Sequence, residues 1–138
     1  MVWDINYQLI WITEYRYKIL RGEVAEQARE VIRQACQARE VSIIRGAISP
    51  DHVHMLVASS AQLASAKLVQ YIKGRSSRRL QEEFPHLRKR YWGQHLWARG
   101  YFCATVGAVD EKTIMEYIES QKWDQDDHGF KITASEEP

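Results

Sequence analysis

Three residues, Ser49-Pro50-Asp51, separate two runs that both read as β-strand, residues 41–48 and 52–58. Serine, proline and aspartate each favour a tight turn. A link this short cannot carry a crossover, so the two runs must pair as an antiparallel hairpin. Gly46 reads as a bulge in the first strand. Everything else must pack around that hairpin. Residues 7–13 are rich in β-formers and supply an earlier strand. Residues 22–39 place Val24, Ala28, Val31, Ile32, Ala35 and Cys36 at helical spacing. A second helix is expected over 62–84, stopped by Pro85, with Val69, Ile72, Ser76, Leu80 and Phe84 on its inner stripe. Lys67, Tyr71, Arg75 and Arg78 fall on its other side. Residues 85–97 read as a basic, aromatic loop and 101–106 as a last strand. Gly107 breaks that strand, and Asp110 can cap a final helix to about residue 123. The tail from about 125 to 138 is acidic and is expected to be flexible. The expected class is therefore α+β: one domain, a ferredoxin-like (RRM-like) βαββαβ sandwich with an added C-terminal helix.

Composition excludes several roles. No segment approaches the ~20 apolar residues of a membrane span. The opening Met-Val-Trp-Asp lacks the basic and long apolar regions of a secretory leader. Cys36 and Cys103 sit in unrelated contexts, so a disulfide framework is not expected and a reducing cytoplasm is. No Gly-rich phosphate loop ends in Lys-Ser or Lys-Thr, so no nucleotide cofactor is indicated. The formal charge of +1 conceals asymmetry: residues 61–100 hold nine basic and two acidic groups, residues 101–138 three basic and nine acidic. The middle of the chain is a candidate polyanion surface, although basic helix faces are also commonly just solvated.

His52 and His54 stand two apart on the second hairpin strand, so both imidazoles face one side while Val53, Met55 and Val57 face the other. With the apolar set packed on the helices, the histidines stand on the open face, where they can share an ion. A bare His-x-His pair is weak evidence by itself, and a structural role is the commoner reading. Histidine-triad nucleotide hydrolases use a third alternate histidine, and here that place is Leu56. On the final helix Tyr117 and Gln121 are spaced i and i+4 and share a face. Ile114 and Ile118 flank them, which also suits a packed tyrosine.

Five stretches resemble, in order, the small single-tyrosine transposases of the HUH nuclease superfamily found in minimal bacterial insertion sequences. They are Trp11-Ile-Thr-Glu-Tyr-Arg16, Ser49-Pro-Asp-His-Val-His-Met-Leu56, Tyr71-Ile-Lys-Gly-Arg-Ser-Ser-Arg78, Leu96-Trp-Ala-Arg-Gly-Tyr-Phe-Cys-Ala-Thr-Val-Gly107 and Tyr117-Ile-Glu-Ser-Gln121. The resemblance implies His52, His54 and Gln121 as ligands of a divalent metal, Mg²⁺ or Mn²⁺, and Tyr117 as nucleophile. It implies cleavage and rejoining of single-stranded DNA through a 5′-phosphotyrosine, after recognition of DNA hairpins at element ends. It also implies a homodimer whose active sites can be composite. Gly107, between the last strand and the tyrosine helix, is a candidate hinge, although strand ends commonly use glycine. Lys67, Lys73, Arg75, Arg78, Arg79, Arg88, Lys89 and Arg90 are candidates to neutralise phosphates. Tyr91, Trp92 and Trp97 are candidates to stack on bases, with at least one tryptophan expected in the core. Glu14 departs from the family pattern, which has a basic residue before the Tyr-Arg pair. A domesticated relative acting on chromosomal palindromes, or a non-catalytic single-strand binder on the same fold, would share most of these features.

Overall fold

The computed structural model describes residues 4–106 and 129–133. Strand β1 (Asp4–Ile12) leads through a 3-10 turn (Glu14–Arg16) to helix α1 (Gly22–Ala38). The hairpin β2 (Ser42–Ser49) and β3 (His52–Ser60) follows, then α2 (Ser65–Glu83), α3 (Pro85–Arg90) and β4 (Phe102–Thr105). A short strand, β5 (Phe130–Ile132), completes one sheet in the order β4-β1-β3-β2-β5. β3 lies antiparallel between β1 and β2, and β4 is antiparallel to β1. That is the βαββαβ arrangement expected from the sequence, elaborated by α3 and β5.

Alternation decides which face carries the core. Leu9 and Trp11 of β1, Val53, Met55 and Val57 of β3, and Ile48 of β2 are buried with Ala28, Ile32 and Ala35 of α1 and Leu68, Ile72 and Leu80 of α2. Trp11 meets Trp97 edge to face at 6.0 Å, a geometry that adds about 0.5–1.5 kcal/mol to burial itself.

The hairpin departs from expectation at its bulge. The register shift lies between Ile43 and Arg45, not at Gly46. Gly46 serves close packing instead: a Cβ there would stand 2.9 Å from Cδ1 of Phe130. Residues 85–97 are not simply a loop. Pro85 opens α3, where its missing N–H costs nothing, and Leu87 anchors that turn in the core. One apolar residue among basic neighbours leaves no periodicity to read. The expectation of a flexible tail from about 125 does not hold for residues 129–133. Phe130 is 1% exposed, and β5 pairs in parallel with β2. Three strand residues are too few to show alternation. Gly107 and the expected final helix, with Tyr117 and Gln121, lie outside the described residues.

Gly74 sits within α2, where glycine is about 1 kcal/mol less favourable than alanine.

Candidate functional site

The site begins at the hairpin turn. His52 and His54 pair with Ile12 and Ile10 of β1, so all four side chains share the face opposite the helices. The pair is therefore side by side, as the spacing required. That face is not bare. Leu56, next in the same row, is fully buried. His54 is half-buried. Burial, then the neighbouring charge of His52, hold its pKa below the ordinary imidazole range. It is thus kept neutral, the form that ligates metals.

Two observations test the fit to a metal ion. Nε2 of His54 is buried and has no hydrogen-bond partner among the described residues, an arrangement a native fold seldom leaves unsatisfied. Nδ1 of His52 lies 2.9 Å from Oδ1 of Asp51, which fixes the ring and leaves its other nitrogen for a ligand. Asp51 is itself held by Arg16, whose Nε donates to Oδ2 at 3.2 Å. Burial pushes the Asp51 carboxyl upward, but the His52 hydrogen bond and the Arg16 guanidinium outweigh it, and the pKa lies below the ordinary value. Two neighbouring imidazoles backed by an ionised carboxylate suit a divalent cation. Among the described residues no cluster of three or more His, Cys, Asp or Glu gathers, so a complete site must draw on something else, such as an amide oxygen or substrate.

Arg16 reaches Asp51 by way of an unusual backbone. Tyr15 and Arg16 both adopt left-handed conformations, φ 62° and 55°. Neither is glycine, so the turn stores strain of about 1–3 kcal/mol per residue. Thr13 secures it: its N–H bonds the Asp51 carbonyl at 3.0 Å and its hydroxyl donates to the Tyr17 carbonyl at 2.8 Å. The sequence suggested neither the Arg16–Asp51–His52 chain nor the strained turn. The adjacency of Asp51 to His52 was its only visible trace.

The candidate phosphate-binding residues divide into several environments. Lys67, Arg78, Arg88, Lys89 and Arg90 are exposed, and Arg75 and Arg79 are half-buried. Arg90 covers the Tyr17 ring at 4.0 Å, and Arg75 lies 5.7 Å from the Tyr71 ring, which Arg39 covers at 4.1 Å. Lys73 has structural work as well: its ammonium donates to the carbonyls of Ala98 and Gly100 at 2.7 and 2.9 Å. Burial lowers its pKa, partly offset by the charge of Glu14, so Glu14 faces this lysine. Of the candidate stacking residues, Tyr91 and Trp97 are buried, while Trp92 is 85% exposed in a left-handed conformation at φ 55°. Trp97 is the expected core tryptophan.

Lys73 belongs to a set of clamps that fix residues 93–101 against α2. The Trp97 indole donates to Ser76 Oγ at 2.9 Å, Gln81 donates to the Gln94 carbonyl at 2.8 Å, and the Leu96 N–H reaches Ser77 Oγ at 3.3 Å. Between the clamped segment and α2 lies a groove of about 910 Å³, lined in part by Arg78, Arg88, His95 and Arg99. His95 and Arg99 were not among the sequence candidates, although Arg99 contributes to the basic middle.

Known proteins resemble this chain in sequence and in fold. A family model described as "Transposase IS200 like" matches residues 1–121. The chain is 36% identical over 120 residues to the ISDra2 transposase TnpA of Deinococcus radiodurans, covering 87% of this chain and 86% of that protein. It is 31% identical over 119 residues to the transposase of insertion sequence element IS200 from Salmonella typhimurium, covering 86% and 78%. A solved transposase structure from Deinococcus radiodurans R1 superposes with a TM-score of 0.71 at 33% identity, over 90% of this chain and 95% of that one. A REP-associated tyrosine transposase bound to a REP hairpin shares the fold at a TM-score of 0.65 and 13% identity, over 86% and 67%. With the hairpin histidines, the sheet order and these matches in agreement, the chain belongs to the IS200-like transposase family.

Proposed function

We propose that this transposase cuts and rejoins single-stranded DNA by transesterification at Tyr117, with His52, His54 and Gln121 holding a divalent ion. The observation that carries the reading is the paired imidazoles: one is anchored by Asp51, and the other presents a buried, unpartnered Nε2. Bound there, Mg²⁺ or Mn²⁺ would supply Lewis-acid polarisation of a phosphate and a template for it. In the cleavage step the Tyr117 oxygen bonds to phosphorus, the bond from phosphorus to the 3′-oxygen breaks, and that oxygen leaves as a 3′-hydroxyl after taking up a proton. A 5′-phosphotyrosine results, and attack by a 3′-hydroxyl reverses it. One phosphodiester is exchanged for another, so no nucleotide cofactor is consumed. A free phenol ionises near 10 and is a weak nucleophile at neutral pH, which makes charge stabilisation at the phosphate the main requirement.

The substrate is read as DNA hairpins at element ends. Support comes from the basic surface of α2 and α3 and from the fold shared with a hairpin-bound relative. The active form is read as a homodimer working in the cytoplasm. No helix among the described residues is long and apolar enough to cross a membrane.

Labelled single strands carrying the flanking hairpin sequence test the reading. Wild-type protein should leave a denaturation-resistant protein–DNA adduct, abolished by EDTA. Tyr117→Phe should abolish the adduct while retaining hairpin binding. An undiminished adduct in that variant would remove Tyr117 from its role.

A further inference from the structure

Among the described residues nothing asks for a glycine at position 74. No left-handed backbone is required there, and a Cβ built on it meets no heavy atom within 4 Å. Gly46 is different, since a Cβ there would strike Phe130. A glycine inside a helix weakens it, and at Gly74 no contact among the described residues compensates. The residue is exposed and lines the groove between α2 and residues 93–101. Glycine at such a place lets another molecule approach the backbone closely.

The walls on either side are built for an anion. Arg78, Arg88 and Arg99 line the groove, and Glu82 is the acidic residue in its lining. Guanidinium groups match phosphate geometry with paired donors. The far wall is already fixed by the Lys73, Ser76, Ser77 and Gln81 bonds, so its order need not be created on binding. Four polar side chains of α2 hold this wall, beside a glycine in the groove lining that carries none.

We propose that the groove seats the sugar-phosphate backbone of the DNA, with the strand passing over Gly74 in direct contact with the α2 backbone. This rests on the DNA-processing reading above and adds to it a site and a point of closest approach. Arg78, Arg88 and Arg99 pair with successive phosphates, and position 74 admits the strand because it carries no Cβ.

Two substitutions at one position test this, with the full chain and a fluorescent hairpin oligonucleotide. Gly74→Ala should raise the melting temperature by a few degrees, because the methyl group has room and strengthens the helix, yet should weaken hairpin binding. Gly74→Leu fills the floor and should raise Kd by about tenfold or more. The joint change Arg78→Ala and Arg99→Ala should lower the slope of log affinity against log salt by about 2. A stabilised Gly74→Ala protein with wild-type affinity overturns the proposal, and it carries the test alone if the leucine variant fails to fold. Loss of self-association in these variants at unchanged DNA affinity also overturns it, and assigns the groove to a protein contact. Should wild-type protein bind no hairpin and form no adduct, the proposed function falls and this inference with it. Hairpin binding by wild type that is indifferent to position 74 sinks the inference alone.

Discussion

Asp51 makes the His52 ring a fixed object. Its carboxylate takes the Nδ1 side at 2.9 Å while Arg16 holds the other oxygen at 3.1 Å. Removing such a support typically costs 10–100-fold in metal affinity. Asp51→Asn is therefore expected to weaken Mn²⁺ binding by about that factor in calorimetry, with the fold retained in circular dichroism. Unaltered affinity would detach Asp51 from the proposed ion site. The paired histidines were legible in the sequence because strand alternation is local and needs no knowledge of distant partners. Their support was not. Arg16 meets Asp51 only because Tyr15 and Arg16 both adopt left-handed backbone, and nothing in the residue types Tyr-Arg announces that.

At the scale of elements, α2 is both a core helix and a clamp. Ser76 marks the point where the two duties meet: its hydroxyl donates to the Ile72 carbonyl at 2.7 Å and accepts from the Trp97 indole at 2.9 Å. Ser76→Ala leaves that indole N–H buried and unpaired, at a cost of about 1–3 kcal/mol, which chemical denaturation can read as a shifted midpoint at constant slope. Both long helices and four of the five strands could be read from periodicity and turn chemistry. α3 and β5 could not. One apolar anchor each, Leu87 and Phe130, carries no period, and both segments are held by tertiary contacts rather than by their own pattern. Ser76 was placed on the inner stripe by spacing alone. The indole it serves lies 21 residues away, beyond any local pattern.

Across the whole molecule, burial sets the response to alkali. Burial pushes the Cys36 thiol up to about 12 from an ordinary 9.0. The Tyr91 phenol is raised to about 12 from 10.0, by burial first, with Arg90 acting downward and Tyr17 and Glu14 upward. An unfolded chain releases these protons at their ordinary values, whereas the native state keeps them. The native state thus binds more protons above pH 9, and stability falls as pH rises from there toward 12. Melting temperatures measured from pH 8 to 11 should decline, and Cys36→Ala should flatten the first part of the fall. The sheet order has a further effect on reach. β4 and β5 occupy opposite edges of the sheet, with β1, β3 and β2 between them. Four strand spacings of ~4.8 Å put those edges about 19 Å apart. The chain that leaves Val106 at one border must come back at Gly129 on the other. The fold therefore holds the chain at two places: the Val106 N–H donates to the Asn6 carbonyl at 2.9 Å, and the Gly129 carbonyl accepts from the Gly46 N–H at 2.7 Å. Cutting the chain before Gly129 would free β5 and bare the outer edge of β2, with the Phe130 ring no longer tethered over Gly46. The expected signature is a lower melting temperature and association through that bared strand edge, although neither His52 nor His54 has been touched.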